Sequence, residues 1–314
     1  MDTTCNGKRA GLNARKRQKM IFYCLLLAFP VAQFVVFYFV VNFNGIILSM
    51  QTYENGDYVY AGFSNFSTVF KLIFGDGVFK YAIINSFKLL AVDFLILIPL
   101  TLFFSFYIAK KYFFSKFFRV VLFLPTIISA IAMVLVYRYF MEEAVPEILK
   151  LISGDPEKDI RSFLFDSSFE RRWIFILLYY VYMSFGTGVL LYSGAMSGIS
   201  ADLIEAANLD GATGIKEFWY IAVPGVWPTF IVLTLAKLTG FFTNRLNLFS
   251  FYGTSALNQN YTIGYYLFKE TYGDLASMSV FPKLAAMGVV FTVIIAPITL
   301  SVKKILEKYG PRED

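Results

Sequence analysis

The sequence predicts an all-α polytopic membrane protein with six transmembrane helices and both termini on the cytosolic side. Three observations carry that expectation. Hydrophobic residues make up 57% of the 314-residue chain and charged residues only 16%, far from the balance of a soluble domain. The apolar residues lie in blocks long enough to cross a hydrocarbon layer of about 30 Å as helices. Basic residues cluster beside alternate blocks, the bias that marks cytosolic loops.

The blocks follow in order. Residues 1–19 form a basic tail with Lys8, Arg9, Arg15, Lys16, Arg17 and Lys19. The apolar run 20–43 is too long for a signal peptide and has no small-x-small cleavage site, so it is expected to remain as the first span. A polar, aromatic stretch from Asn44 to Lys80 precedes the second expected span, 81–109, which contains Pro99 and ends at Lys110, Lys111, Lys116 and Arg119. The third span is expected over 120–140, with Pro125 near its start tolerable inside a bundle.

Residues 141–172 are the most acidic part of the chain, with Glu142, Glu143, Glu147, Asp155, Glu157 and Asp159, and fit an external loop. The fourth span, 173–196, carries Gly186, Gly188 and Gly194, residues that let helices approach closely in lipid. The fifth is expected over 226–251 and the sixth over 284–302, before a short tail, 303–314, with Lys303, Lys304, Lys308 and Arg312. Together, 20–302 form the membrane domain. Six crossings return the chain to its starting side, and the Lys/Arg-rich segments all fall there.

Composition also excludes several chemistries. The chain has no histidine, which removes the commonest general base and metal ligand. Its two cysteines, Cys5 in the tail and Cys24 in the first block, suggest no redox pair. The net charge of +6 sits in short clusters beside apolar blocks; nucleic-acid binding calls for a basic face with groove-reading or stacking partners instead.

The polar segment 200–221 stands between two apolar blocks. Ser200 is placed to cap a helix whose first turn holds Asp202, and Leu203, Ile204, Ala206, Ala207 and Leu209 propagate it. Gly211 is expected to end that helix, and Thr213 to cap a second one running into Phe218 and Trp219. Pro224 and Pro228 interrupt the chain before the fifth span. The product is a helix–glycine turn–helix at the cytosolic membrane face. Ala206 and Ala207 give it a small-residue patch and Glu205 one fixed charge, a composition suited to docking another protein.

Glu205-Ala206-Ala207, then Gly211 after three residues, then Ile221-Ala222-Val223-Pro224 after nine more, resembles the EAA signature of ABC importer permeases, with Val223 in place of the usual leucine. Asp210-Gly211-Ala212, Pro224-x-x-x-Pro228, Asn85-Ser86 and the Phe118-Arg119 and Leu124-Pro125 pairs resemble the carbohydrate-uptake branch. The resemblance runs from the second span to the C-terminus. It implies that 200–221 is a coupling helix docking on a cytosolic ATPase, with Glu205, Ala206, Ala207, Asp210, Gly211, Ile221 and Pro224 carrying the contact. It further implies a second permease subunit in a heterodimer, two ATPase subunits, an extracytoplasmic solute-binding protein, a carbohydrate substrate and a bacterial cytoplasmic membrane.

The chain itself has no G-x-x-x-x-G-K-[ST] phosphate loop. Gly211 to Lys216 is too short, and no Ser or Thr follows the lysine. This chain is therefore expected to be non-catalytic, with no cofactor of its own, and ATP and magnesium are expected on the partner ATPase. Other ABC solutes, such as glycerol phosphate or a peptide, and an ion-coupled carrier or channel are the competing readings.

Ionisable residues inside spans are costly and are candidates for function. Asp93 and Lys237 fall near the middle of the second and fifth blocks, where they either line a pathway or neutralise one another. Lys88 and Arg245 lie nearer the ends, within snorkelling reach of the interface. Asn244 and Asn247, close to Phe241, Phe242 and Arg245, offer amides beside aromatic faces, as sugar recognition requires; Tyr179, Tyr180 and Tyr182 are weaker candidates.

Overall fold

A computed structural model describes residues 3–75, 77–155, 163–165, 168–272 and 277–311. Glu157 and Asp159 of the acidic segment and Arg312 of the tail lie outside the described residues. The chain is mostly helical and divides into two compact units.

The first unit holds the residues up to Val69 together with Met278–Val289. Its apolar helix Lys16–Ser49 is long enough to cross a membrane, and its large apolar side chains from Met20 to Ile47 are exposed. A helix that is apolar on every side belongs in lipid or against another chain. The helix begins at Thr3 and is continuous through the expected basic tail.

A hairpin follows that the all-α expectation lacks. Strands β1 (Gln51–Glu54) and β2 (Asp57–Tyr60) pair antiparallel, Gln51 opposite Tyr60 and Glu54 opposite Asp57. Asn55 and Gly56, both at positive φ, form the turn, which is the dipeptide a two-residue hairpin favours. Asn65 Nδ2 donates to the Ser49 and Gln51 carbonyls at 2.9 and 2.7 Å and fastens the hairpin to the helix end.

The second unit, Phe70–Ser277 with Val290–Asp314, contains the helices between Gly77 and Tyr272 and the last helix from Val290 onward. Gly77–Ala109, which includes a π-helical turn, and Glu170–Met196 pass the length and hydropathy requirement for a span, as does Val280–Tyr309. The last therefore runs through most of the expected C-terminal tail. Among the described residues four helices are single candidate spans, and six if each of two bent pairs counts as one.

Those bent pairs correct two expectations. The 120–140 block is not one helix: Ser115–Ile127 and Ala130–Ser153 meet at 108°. Pro125 has no N–H to return to the preceding turn, and the branched run Thr126-Ile127-Ile128 resists helical χ1. Ile128 and Ser129 accordingly take extended ψ of 143° and 134°, and the Ser129 carbonyl accepts from Met133 N at 3.0 Å to restart the helix. The 226–251 block likewise stops early. Its helix is Trp227–Thr243, set at 73° to Ile215–Gly225 across Val226, between Pro224 and Pro228.

Close packing uses two of the three expected glycines. A Cβ on Gly186 would strike the Leu122 carbonyl, and one on Gly188 would lie 2.6 Å from Thr101 Cγ2. Gly194 has open space instead. A buried cluster of Ile98, Leu102, Tyr192, Met196, Phe218, Ala222 and Val226 joins the Gly77–Ala109 and Glu170–Met196 helices to the segment after Gly214.

Candidate functional site

Three helices of the second unit converge on one carboxylate. Asp93 opens a π-helical turn, Asp93–Leu97, and is only 3% exposed. Lys237 Nζ lies 2.9 Å from its Oδ1. The Tyr180 hydroxyl donates to Oδ1 and Oδ2, at 2.8 and 2.9 Å, and accepts from Lys237 Nζ at 3.1 Å. A buried carboxylate needs such charge-assisted partners, since its desolvation is not recovered otherwise.

The structure thus brings the two expected intramembrane charges into one pair and adds Tyr180 as the bridge. Lys237 and Tyr180 face a cavity of about 550 Å³ that also exposes Asn244, Arg245 and Asn247. Asp93 is not among the cavity-lining residues. Apolar walls from Leu97, Met183, Leu191 and Leu233, with polar points from Thr101, Ser184 and Thr187, match the general make-up of a small-molecule site. Tyr192 also lines the cavity, and its hydroxyl is buried without a hydrogen-bond partner among the described residues.

The expected fifth span, 226–251, includes Asn244 and Asn247, but the structure places both outside its helix. They form an irregular turn after the Trp227–Thr243 helix ends. Asn244 is extended, ψ 119°, and its Oδ1 accepts from Leu246 N at 2.9 Å, an Asx-type local bond that competes with the helix. Leu246 and Asn247 then take φ of 51°, a conformation that asparagine adopts readily but leucine holds only under surrounding constraint.

That constraint comes from Asn85 and Ser86. Asn85 Nδ2 donates to the carbonyls of Gln259 and Tyr261 at 2.7 and 3.0 Å, and Ser86 Oγ accepts from Ile263 N at 3.1 Å. Thr262 Oγ1 in turn donates to the Asn244 carbonyl at 2.7 Å. The buried Asn85-Ser86 pair therefore pins the 259–263 loop, which pins the cavity turn.

The 200–221 segment begins as its composition predicts. Ser200 Oγ accepts from Leu203 N at 3.3 Å and the helix is Ala201–Leu209. It ends in a Schellman motif: Gly211 has φ 78°, its N–H reaches the Asn208 carbonyl at 3.1 Å and Ala212 N reaches the Ala207 carbonyl at 2.8 Å. The second cap differs from expectation. Gly214, with φ 60° and ψ −116°, is the N-cap of Ile215–Glu217, and no side chain caps it; the tight left-handed entry suits glycine rather than Thr213.

Glu205, Ala206, Asp210 and Gly211 are exposed, with Leu209 89% exposed at the helix end. Ala207 is buried, and Ile221 and Pro224 are half-buried. The segment therefore presents an outer face around Glu205 and Leu209 and an inner face that packs on the bundle.

No family model matches the chain. The arabinooligosaccharides transport system permease protein AraP of Halalkalibacterium halodurans is 27% identical over 292 residues, covering 90% of this chain and 87% of AraP. A chain of a bacterial ABC transporter involved in the import of the acidic polysaccharide alginate superposes with TM-score 0.74 at 20% identity, covering 95% of this chain and 99% of its own. A second structure of a bacterial alginate ABC transporter, in complex with an alginate pentasaccharide-bound periplasmic protein, gives TM-score 0.70 at 20% identity, covering 92% and 93%. At that identity the structural likeness is one of fold. The chain is similar to permease proteins of sugar ABC transport, the group that the 205–224 spacing resembles.

Proposed function

We propose that this chain is a transmembrane permease subunit of an ATP-driven, binding-protein-dependent ABC importer that moves a sugar or oligosaccharide across a bacterial cytoplasmic membrane. The observation that carries the reading is the pairing of two features in one chain of this fold. One is a capped helix, Ala201–Leu209, that exposes Glu205 and Leu209 beyond the packed segment. The other is a cavity whose walls mix amide, hydroxyl and aromatic groups.

Glu205, Ala206, Asp210 and Gly211 form the contact with an ATPase subunit, while Ala207, Ile221 and Pro224 set the shape of that contact from within. ATP and magnesium are held by the ATPase, and a second permease subunit and an extracytoplasmic binding protein complete the assembly. In the cavity, Asn244, Asn247 and Lys237 supply hydrogen bonds to sugar hydroxyls, and Tyr179 and Tyr180 supply ring faces. Binding of ATP biases the bundle between two access states that exist beforehand.

The test is affinity purification of the tagged chain from its native membrane. Recovery of an ATPase, a second permease and a secreted solute-binding protein that binds arabinotriose or maltotriose supports the reading. Recovery of the chain without any ATPase removes it, and a binding protein that takes glycerol 3-phosphate or a peptide replaces its substrate class.

A further inference from the structure

A second buried ion pair lies between the outer segment and the cavity helix. Lys110 Nζ is 2.7 Å from Glu217 Oε1, with the glutamate side chain 4% exposed and the lysine 25%. Lys110 is the C-cap residue of the helix that carries Asp93, where a cation complements the helix dipole. Glu217 ends the short helix Ile215–Glu217, one residue before the buried Phe218. Phe106, Met196, Ile204 and Ile221 border the pair, so the buried glutamate is not exchanged cheaply for water.

Packing at the same junction runs in the same direction. Phe218 stacks on Phe103 with ring centroids 4.4 Å apart and meets Phe106 edge-on at 5.4 Å. Both partners are on the Gly77–Ala109 helix. One helix, with the π-helical turn Asp93–Leu97 in its length, therefore holds Lys110 at its end and Asp93 in its middle, and each of the two is ion-paired to a neighbouring element.

Resting on the permease reading above, we propose that Lys110–Glu217 is the joint through which movement of the 200–221 segment is delivered to the Gly77–Ala109 helix, and so to the Asp93–Lys237 pair at the cavity. Apolar packing alone permits sliding between the two elements, because dispersion contacts are non-directional. A short ion pair with one buried partner fixes their register and makes them move as a unit. Lys110 and Glu217 are positioning residues; neither touches substrate or nucleotide.

The test uses the assembled transporter in proteoliposomes, with Cys5 and Cys24 replaced by serine and Ser184→Cys as a reporter on the cavity wall. Labelling of that cysteine by an impermeant maleimide is compared with and without ATP and magnesium, alongside ATP hydrolysis. In the parent, ATP is expected to change the labelling rate by about tenfold. Glu217→Gln, which keeps the shape and removes the charge, should hydrolyse ATP normally and lose that response. The exchange Lys110→Glu with Glu217→Lys should restore it to within about twofold.

A Gln variant that keeps the full response overturns the proposal, as does one that loses assembly or ATP hydrolysis, or an exchange variant that restores nothing. A parent transporter with no response to ATP contradicts the permease reading itself, which separates the two failures.

Discussion

Lys237 Nζ and Asp93 Oδ1 are 2.9 Å apart, and the lysine is the half of the pair that reaches the cavity. The side chains differ in exposure, 28% for Lys237 and 5% for Asp93, so their removal is not equivalent. Lys237→Met strands a buried carboxylate and is expected to destabilise the protein by about 3 kcal/mol. Asp93→Asn leaves a lysine that can turn into the cavity and should cost less. Thermal unfolding of the purified variants checks the order, and the double variant should regain most of the loss. Equal effects of the two single changes would show that the pair is not asymmetrically buried.

Tyr180→Phe removes one donor to Asp93 and one acceptor for Lys237. A loss of about 1–2 kcal/mol in stability is expected, since the remaining ion pair keeps both charges satisfied. The same scans measure it, and a fall as large as that of Lys237→Met would mean that the ion pair does not survive without the phenol.

The cavity turn depends on a residue far from it in sequence. Asn85→Ala strips hydrogen bonds from the Gln259 and Tyr261 carbonyls, at a cost of about 1–3 kcal/mol. Because the 259–263 loop holds the Asn244 carbonyl through Thr262, substrate affinity should weaken as well. Asn244→Ala and Asn247→Ala should weaken transport with expression unchanged. Uptake kinetics over a range of arabinotriose concentrations distinguish these cases: an unchanged KM in all three variants removes the turn from the substrate path.

Gly211→Val places a branched residue at φ 78°, a penalty of about 1–2 kcal/mol that falls on the end of an exposed helix. Global unfolding should hardly change, while the Schellman termination loosens and the face around Glu205 loses its geometry. ATPase binding by the variant, measured with purified components, should fall. Binding at the level of the parent would detach this turn from the docking surface.

Much of this was legible because it is written in local chemistry. Ser200 as a cap, Gly211 as a stop and the bend between Pro224 and Pro228 follow from single residues with fixed backbone preferences. Asp93 and Lys237 stood out because charge inside an apolar block is costly, although only the fold shows that they meet. The Asn55-Gly56 hairpin was equally local and is flanked by alternating Thr, Tyr and Val; the aromatic, polar reading of 44–80 obscured it. The breaks at Ile128-Ser129 and after Thr243 were harder. Each depends on a modest helix weakness that membrane helices commonly tolerate, and tertiary bonds such as Thr262 to Asn244 decide the outcome.

The polar stripe of the fourth helix carried a signal that spacing could have found. Tyr180, Ser184 and Thr187 recur at four- and three-residue intervals, one face of a helix, and all three line the cavity. Glu217 had no such mark. An acidic residue beside Lys216 in a polar segment reads as solvated, and its burial against Lys110 is a product of the tertiary fold alone.

The most direct measurement of the central claim is ATP-dependent uptake of labelled arabinotriose or maltotriose by proteoliposomes holding the purified complex, compared with the same complex carrying Glu205→Arg. Uptake by the parent that requires ATP and the binding protein, together with lost ATPase association and lost uptake in a variant still correctly inserted, is the predicted result. Flux that proceeds without ATP, or a Glu205→Arg complex that binds its ATPase and transports as well as the parent, would contradict it.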